Sequence, residues 1–154
     1  MTPADDGLLR WAREDEVRTL EDLQREASLT GEHRADLLAH PDAVEVPLAD
    51  LREHRVRVYE TGDGVAGYAT VLPLPDGTAE LDALFVRPAL MRRGIGARLV
   101  EDAAQRARDM GAGLLVVTAA PRAEAFYGRC GFRTVGEAPT RFGPAIRMHR
   151  DLAT

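Results

Sequence analysis

LDALFVRPALMRRGIGA, residues 81–97, reads as an apolar strand, a proline-bearing turn and a glycine-marked turn that opens directly into a helix. Backbone N–H groups at such a turn stand ahead of the helical ladder and point the same way. With the helix dipole behind them they suit a phosphate or pyrophosphate. Two phosphate-binding patterns fail here. The dinucleotide fingerprint G-x-G-x-x-G/A breaks at Leu99, three residues after Gly96. A Walker A loop ends in Gly-Lys-Ser/Thr, and the chain contains no lysine. What remains is Arg92-Arg93-Gly94-Ile95-Gly96-Ala97 behind a Val86-Arg87-Pro88 turn.

Upstream of this stretch, residues 55–60 (RVRVYE) alternate as a strand. Thr61-Gly62-Asp63-Gly64 is a hairpin turn with positive φ expected at its glycines, and residues 65–72 return as a strand. A turn at 73–77 leads into a third strand, 78–86. Nearer the N-terminus, residues 7–12 form a short strand. Residues 14–28 form a helix in which Val17, Leu20, Leu23 and Ala27 recur at helical spacing. A second helix is predicted at 32–39 and stopped by Pro41. Residues 42–54 read as a loop with one helical turn at 48–53.

Downstream, the helix 94–110 carries an apolar stripe of Ile95, Leu99, Ala103, Ala107 and Met110, with Gly111 as its C′ residue. LLVVT, residues 114–118, is a strand covered on both faces. Pro121 opens a short helix, 122–129, and two strands, 132–136 and 145–150, close the chain. The order βααβββαβαββ predicts an α/β or α+β fold in a single domain, residues 1–154.

Composition narrows the function classes. The 154 residues suffice for one domain with a real core, and 45% hydrophobic with 29% charged residues is ordinary for a soluble globular chain. No apolar run approaches the roughly 20 residues that span a bilayer, so no membrane role is expected. The opening MTPADDGLL is acidic and lacks a basic n-region, so no secretory signal is read and a cytoplasmic location is expected. The single cysteine, Cys130, permits no internal disulfide. A net charge of −5 argues against a nucleic-acid partner and favours a cationic or neutral acceptor.

LFVRPALMRRGIGARLV (residues 84–100) resembles motif A of the GNAT acetyltransferases, with consensus Gln/Arg-x-x-Gly-x-Gly/Ala. AEAFYGRCGF (residues 123–132) is similar to their motif B. The two stand in the family's order, separated by a helix and a strand. The resemblance implies a central, mostly antiparallel mixed sheet of about six or seven strands flanked by helices. It implies N-acetyl transfer from acetyl-CoA to an amine, more readily on a small molecule than on a peptide. The pyrophosphate would rest on backbone N–H groups of Arg92, Arg93, Gly94, Ile95, Gly96 and Ala97. The pantetheine arm would pair with the backbone of Leu84, Phe85 and Val86. Met91 departs from the family's Gln or Arg, and Ala120 from its frequent Asn. Many relatives are homodimers, but no stretch of this chain carries a dimer signal.

Acetyl transfer from a thioester needs a neutral amine, a stabilised oxyanion and a proton for the departing thiolate. Tyr127 stays protonated at neutral pH, and the resemblance implies that it is this acid and also touches the CoA. The bland alternative is a tyrosine packed on the sheet by its ring. Glu80 and Asp82 lie two apart on the strand entering the cradle, hence on one face, and each is a candidate base; the alternative is a solvated acid pair. The N–H of Phe85, or else Val86, is the expected oxyanion donor. Cys130 with His149 lacks an orienting motif for a nucleophile. His33, His40 and His54 lack metal spacing, so no metal is expected, and they either line an acceptor pocket or lie exposed. Trp11 is either core or pocket wall. The competing function is a non-catalytic CoA-binding module.

Overall fold

The computed structural model describes residues 7–29, 44–141 and 143–152. The predicted helix at 32–39, with His33 and His40, lies outside them. Among the described residues seven strands are hydrogen-bonded in the order β1-β2-β3-β4-β5-β7-β6. They are β1 (Leu8–Trp11), β2 (Val56–Thr61), β3 (Gly64–Pro73), β4 (Ala79–Val86), β5 (Leu114–Ala119), β6 (Arg133–Thr140) and β7 (Gly143–Asp151). Among the described residues the helices are α1 (Val17–Leu29), α2 (Leu48–Arg52), α3 (Ile95–Asp109) and α4 (Glu124–Arg129). The sheet is mostly antiparallel, with β4 and β5 running parallel. This is the mixed, helix-flanked sheet expected from the sequence. No helix among the described residues is long and apolar enough to cross a membrane.

The chain forms two compact units. One holds the described residues up to Thr70 together with Ala83–Leu99; the other holds Val71–Asp82 and the chain from Val100 onward. In the first unit the apolar stripe of α1 does what its spacing predicts. Leu20 and Leu23 are fully buried with Val56, Val58 and Tyr68, and Ala83 and Phe85 pack against this cluster. The helix does not begin at Glu14 as predicted. Residues 14–16 make a 3-10 turn first, and the Glu16 carboxylate reaches back to accept the Arg13 N–H at 2.8 Å. Glu16 also accepts both terminal nitrogens of Arg10, at 2.9 and 2.8 Å, while Arg10 Nε donates to Glu60 at 3.2 Å. One guanidinium thus ties β1, the 3-10 turn and β2 together. The β2–β3 hairpin turns on Gly62-Asp63, and of its two glycines only Gly64 has positive φ, at 110°.

Gly67 on β3 marks a close backbone-to-backbone approach in this unit. A Cβ there would stand 2.8 Å from the carbonyl oxygen of Phe85, 3.1 Å from Leu99 Cδ1 and 3.3 Å from Val86 Cγ2. Only a residue without a side chain lets β3 lie this close to the end of β4.

In the second unit β5 pairs parallel with β4 through Ala79↔Leu115 and Glu80↔Val116, and antiparallel with β7. Leu115, Val116 and Val117 are all buried, as a strand covered on both faces requires. On α3, Ala103 and Ala107 are fully buried, but Met110 is 43% exposed. The helix ends before it, and Gly111 (φ 84°) closes the end: its N–H bonds to Arg108 and that of Ala112 to Ala107.

Candidate active site

The glycine turn is anchored by a residue the sequence reading passed over. Arg87, between the apolar strand and Pro88, donates its backbone N–H to Ala66 (2.8 Å) and its Nε–H to the carbonyl of Val65 (2.7 Å). Its guanidinium also meets Glu26 on α1 at 2.9 Å. The end of β4 is therefore pinned to β3 just before the chain turns. Leu84, Phe85 and Val86 are half-buried there, with the Phe85 ring tilted against Tyr68 at 5.7 Å.

After a 3-10 turn at Pro88–Leu90 the backbone alternates in hand. Met91 has φ −67°, Arg92 has φ 67° and Gly94 has φ 83°, while Arg93 keeps the ordinary sign. Such alternation turns successive N–H groups to one side and makes an anion-binding concavity. The helical ladder first engages at Arg98, whose N–H bonds to the Gly94 carbonyl at 3.1 Å. The N–H groups of Ile95, Gly96 and Ala97 stand ahead of it at the positive end of the α3 dipole. A Cβ on Gly94 would meet nothing within 4 Å, so glycine is demanded by φ and not by crowding. Met91, Arg92 and Arg93 are exposed. This backbone fits a pyrophosphate.

Arg92 is a non-glycine residue in the left-handed region, which costs about 1 kcal/mol. Arg92→Gly is therefore expected to raise Tm by about 2–4 °C for a chain of this size. Scanning calorimetry checks this, and an unchanged Tm would show that the turn holds Arg92 without strain.

Tyr127 on α4 is 7% exposed. Its ring is held edge-on by Phe126 (5.1 Å) and Phe132 (5.4 Å), and its carbonyl accepts the N–H groups of Cys130 and Phe132 at 3.0 Å each. Burial pushes the phenol pKa well above its ordinary value, so it is protonated at any neutral pH. Among the described residues no group hydrogen-bonds its hydroxyl, so a packed ring presents an unengaged donor. The end of α4 is fixed in turn by Arg150, which donates to the Cys130 carbonyl (3.1 Å) and grips Glu101 on α3 at 2.6 and 3.1 Å.

Glu80 is half-buried and Asp82 exposed. Burial raises the Glu80 pKa, the charge of Asp82 raises it further, and Arg147 pulls it back. That is the direction a general base working near neutrality needs. Cys130 is half-buried, and burial raises its thiol pKa; burial lowers that of His149. Neither shift makes a thiolate–imidazolium pair. Trp11 is not core: it is 38% exposed, with His54 at 5.2 Å and the Arg57 guanidinium at 4.8 Å over its ring. No cluster of metal-ligating side chains occurs among the described residues.

Known proteins resemble this arrangement in fold more than in sequence. No curated protein matches the chain. Among solved structures, yncA from Salmonella typhimurium, crystallised with its cofactor acetyl-CoA, superposes with a TM-score of 0.72 at 20% identity, covering 96% of this chain and 95% of that one. The paiA N-acetyltransferase of Thermoplasma acidophilum, in complex with coenzyme A, gives 0.77 at 16% identity, covering 94% and 98%. Nourseothricin acetyltransferase gives 0.60 at 24% identity; that match covers 64% of this chain and 65% of that one, just under two thirds of its length. A family model described as Acetyltransferase (GNAT) family matches residues 17–132, from the start of α1 through the glycine turn to Phe132. The chain belongs to the GNAT acetyltransferase family.

Proposed function

We propose that this protein is an N-acetyltransferase, a single catalytic domain that moves an acetyl group directly from acetyl-CoA to the amine of a small acceptor in the cytoplasm. The observation that carries the proposal is the backbone alternation from Met91 to Gly94 opening into α3 in a chain of this family. In this reading the N–H groups of residues 92–97 hold the pyrophosphate, and Arg92 and Arg93 add charge toward it. Exposed Met91 adds none, and because the cradle is main chain its place there tunes affinity without removing it. Leu84–Val86 pair with the pantetheine arm, and the N–H of Phe85 takes the oxyanion.

Glu80, with Asp82 beside it, accepts a proton from the ammonium form of the acceptor. The free amine attacks the thioester carbonyl; the new C–N bond forms, the C–S bond breaks, and Tyr127 passes its phenolic proton to the departing thiolate, while the proton lost from the new amide nitrogen passes through solvent and restores the phenol. The products are the amide and free CoA. Calorimetric titration with acetyl-CoA, followed by thiol release with a panel of amines, tests the proposal. Failure to bind acetyl-CoA overturns it. Binding without release for any amine would assign the chain to non-catalytic CoA binding.

The role of Glu80 has its own test. The rising limb of kcat/KM with pH is expected to follow the raised Glu80 pKa, with activity lost as the carboxylate protonates. Glu80→Gln is expected to lower kcat/KM about 10²-fold and to erase that limb. A variant that keeps the wild-type limb would pass the role of base to Asp82 or to solvent.

A further inference from the structure

The sheet in the second unit has two faces of different character. Arg150, opposite Leu115, grips Glu101 and so points to the α3 face. Successive residues alternate, so Arg147 and His149 on β7, with Val116 and Thr118 on β5, point to the other face. Register partners share a face. Glu80 is opposite Val116, which is opposite His149; one step further along, Thr118 is opposite Arg147. The candidate base therefore shares its face with a cation, across an exposed threonine. The two strands that carry them are two spacings apart, about 10 Å, and the two residues are offset by about 7 Å along the sheet. Glutamate and arginine are both long side chains, and a small molecule is of a size to bridge the span between their charged ends.

Arg147 is set apart from the chain's structural arginines. Arg10, Arg13, Arg25, Arg52, Arg55, Arg87, Arg133 and Arg150 all sit within ion-pair distance of a carboxylate. Arg147 is exposed, and among the described residues no carboxylate comes within that distance of it. Glu80 and Arg147 nevertheless sense one another's charge, and the pKa of neighbouring His149 is lowered. Arg133, opposite His149, stands on this face too but is paired with Asp151 at 3.4 Å, which leaves Arg147 as the cation of this face without a carboxylate at ion-pair distance among the described residues. A simple diamine would meet repulsion at Arg147. A neutral amine would leave the guanidinium unused.

We infer that the acceptor carries a carboxylate beside its amine: it is a free amino acid, its amine directed to Glu80 and Asp82 and its carboxylate to Arg147. The inference rests on the acetyl-transfer reading and narrows it. A charge-assisted contact of this kind is worth about 10- to 100-fold in discrimination. The test uses the full chain, acetyl-CoA and three acceptor series matched in side chain: free amino acids, their amides and the decarboxylated amines. Wild type is expected to show kcat/KM about 10- to 100-fold higher for the free acids. Arg147→Gln is expected to bring that ratio to about one while leaving acetyl-CoA affinity unchanged, and Arg147→Glu to turn the preference toward the amines. Calorimetry with a free amino acid in the presence of CoA should show the same loss of binding in Arg147→Gln. Transfer to all three series without preference, or a preference that survives Arg147→Gln, overturns this inference alone. Thiol release with none of them overturns it together with the acetyltransferase reading.

Discussion

Tyr127→Phe is expected to lower kcat about 10²-fold and to leave acetyl-CoA affinity within about twofold of wild type. The split follows from what the substitution removes. The ring carries the packing, edge-on against Phe126 and Phe132, and phenylalanine keeps it. Only the hydroxyl is lost, and no described residue depends on it for a hydrogen bond. A structural tyrosine would therefore lose almost nothing on this change. A tyrosine that protonates the thiolate would lose its whole contribution. Because burial holds the phenol protonated across the neutral range, the deficit should also be flat with pH there. Steady-state kinetics with calorimetric Kd decides it, and wild-type turnover in the variant removes the acid.

Gly67→Ala is expected to cost about 2 kcal/mol, a fall in Tm of about 4–8 °C. The sign is not the one that propensity alone suggests. Replacing glycine in a strand by alanine ordinarily gains about 0.5–1 kcal/mol. Here the new Cβ meets the Phe85 carbonyl at 2.8 Å, and that atom is backbone in a strand end pinned by Arg87. Something must shift, and overpacking outweighs the entropic gain. In the proposed mechanism the displaced segment also carries the pantetheine arm, so acetyl-CoA affinity should weaken about tenfold in the same variant. Thermal unfolding and calorimetry on one preparation read both effects. An unchanged Tm would mean that β3 and β4 separate at no cost.

The elements legible in the sequence are those whose signals are local. The stripe Ile95, Leu99, Ala103 and Ala107, closed by Gly111, places α3 within one residue at each end. The single turn read at 48–53 is α2, Leu48–Arg52. Signals that depend on pairing were missed. The closing strands run to Thr140 and from Gly143, well beyond the predicted 132–136 and 145–150, because β7 and β6 sustain one another through Gly136 and Pro139. The acidic first turn at residues 14–16 reads alike for an α-helix and a 3-10 turn; the reach of Glu16 back to Arg13 decided it.

The candidate site divides in the same way. The stretch 92–97, proposed as the cradle, is a contiguous motif and is legible as a turn opening into a helix. Arg87 was not legible, because its partners Val65 and Glu26 lie on other elements. Arg147 was not, because its relation to Glu80 passes through two strand registers.

The Arg10 tie between β1, the 3-10 turn and β2 sets the order of events on acidification. Arg10 holds the Glu16 and Glu60 carboxylates below their ordinary pKa. Groups with depressed folded pKa contribute stability above the unfolded value, near ~4.3, and lose it only as pH falls through the lower folded value. Glu80 is shifted the other way and protonates above that range. On a descending titration the proposed base is therefore neutralised while this corner of the fold is still charged and closed. Acid inactivation and acid unfolding become two separate events, the first reversible, so that enzyme silenced at mildly acidic pH and returned to neutrality should regain its full rate without refolding.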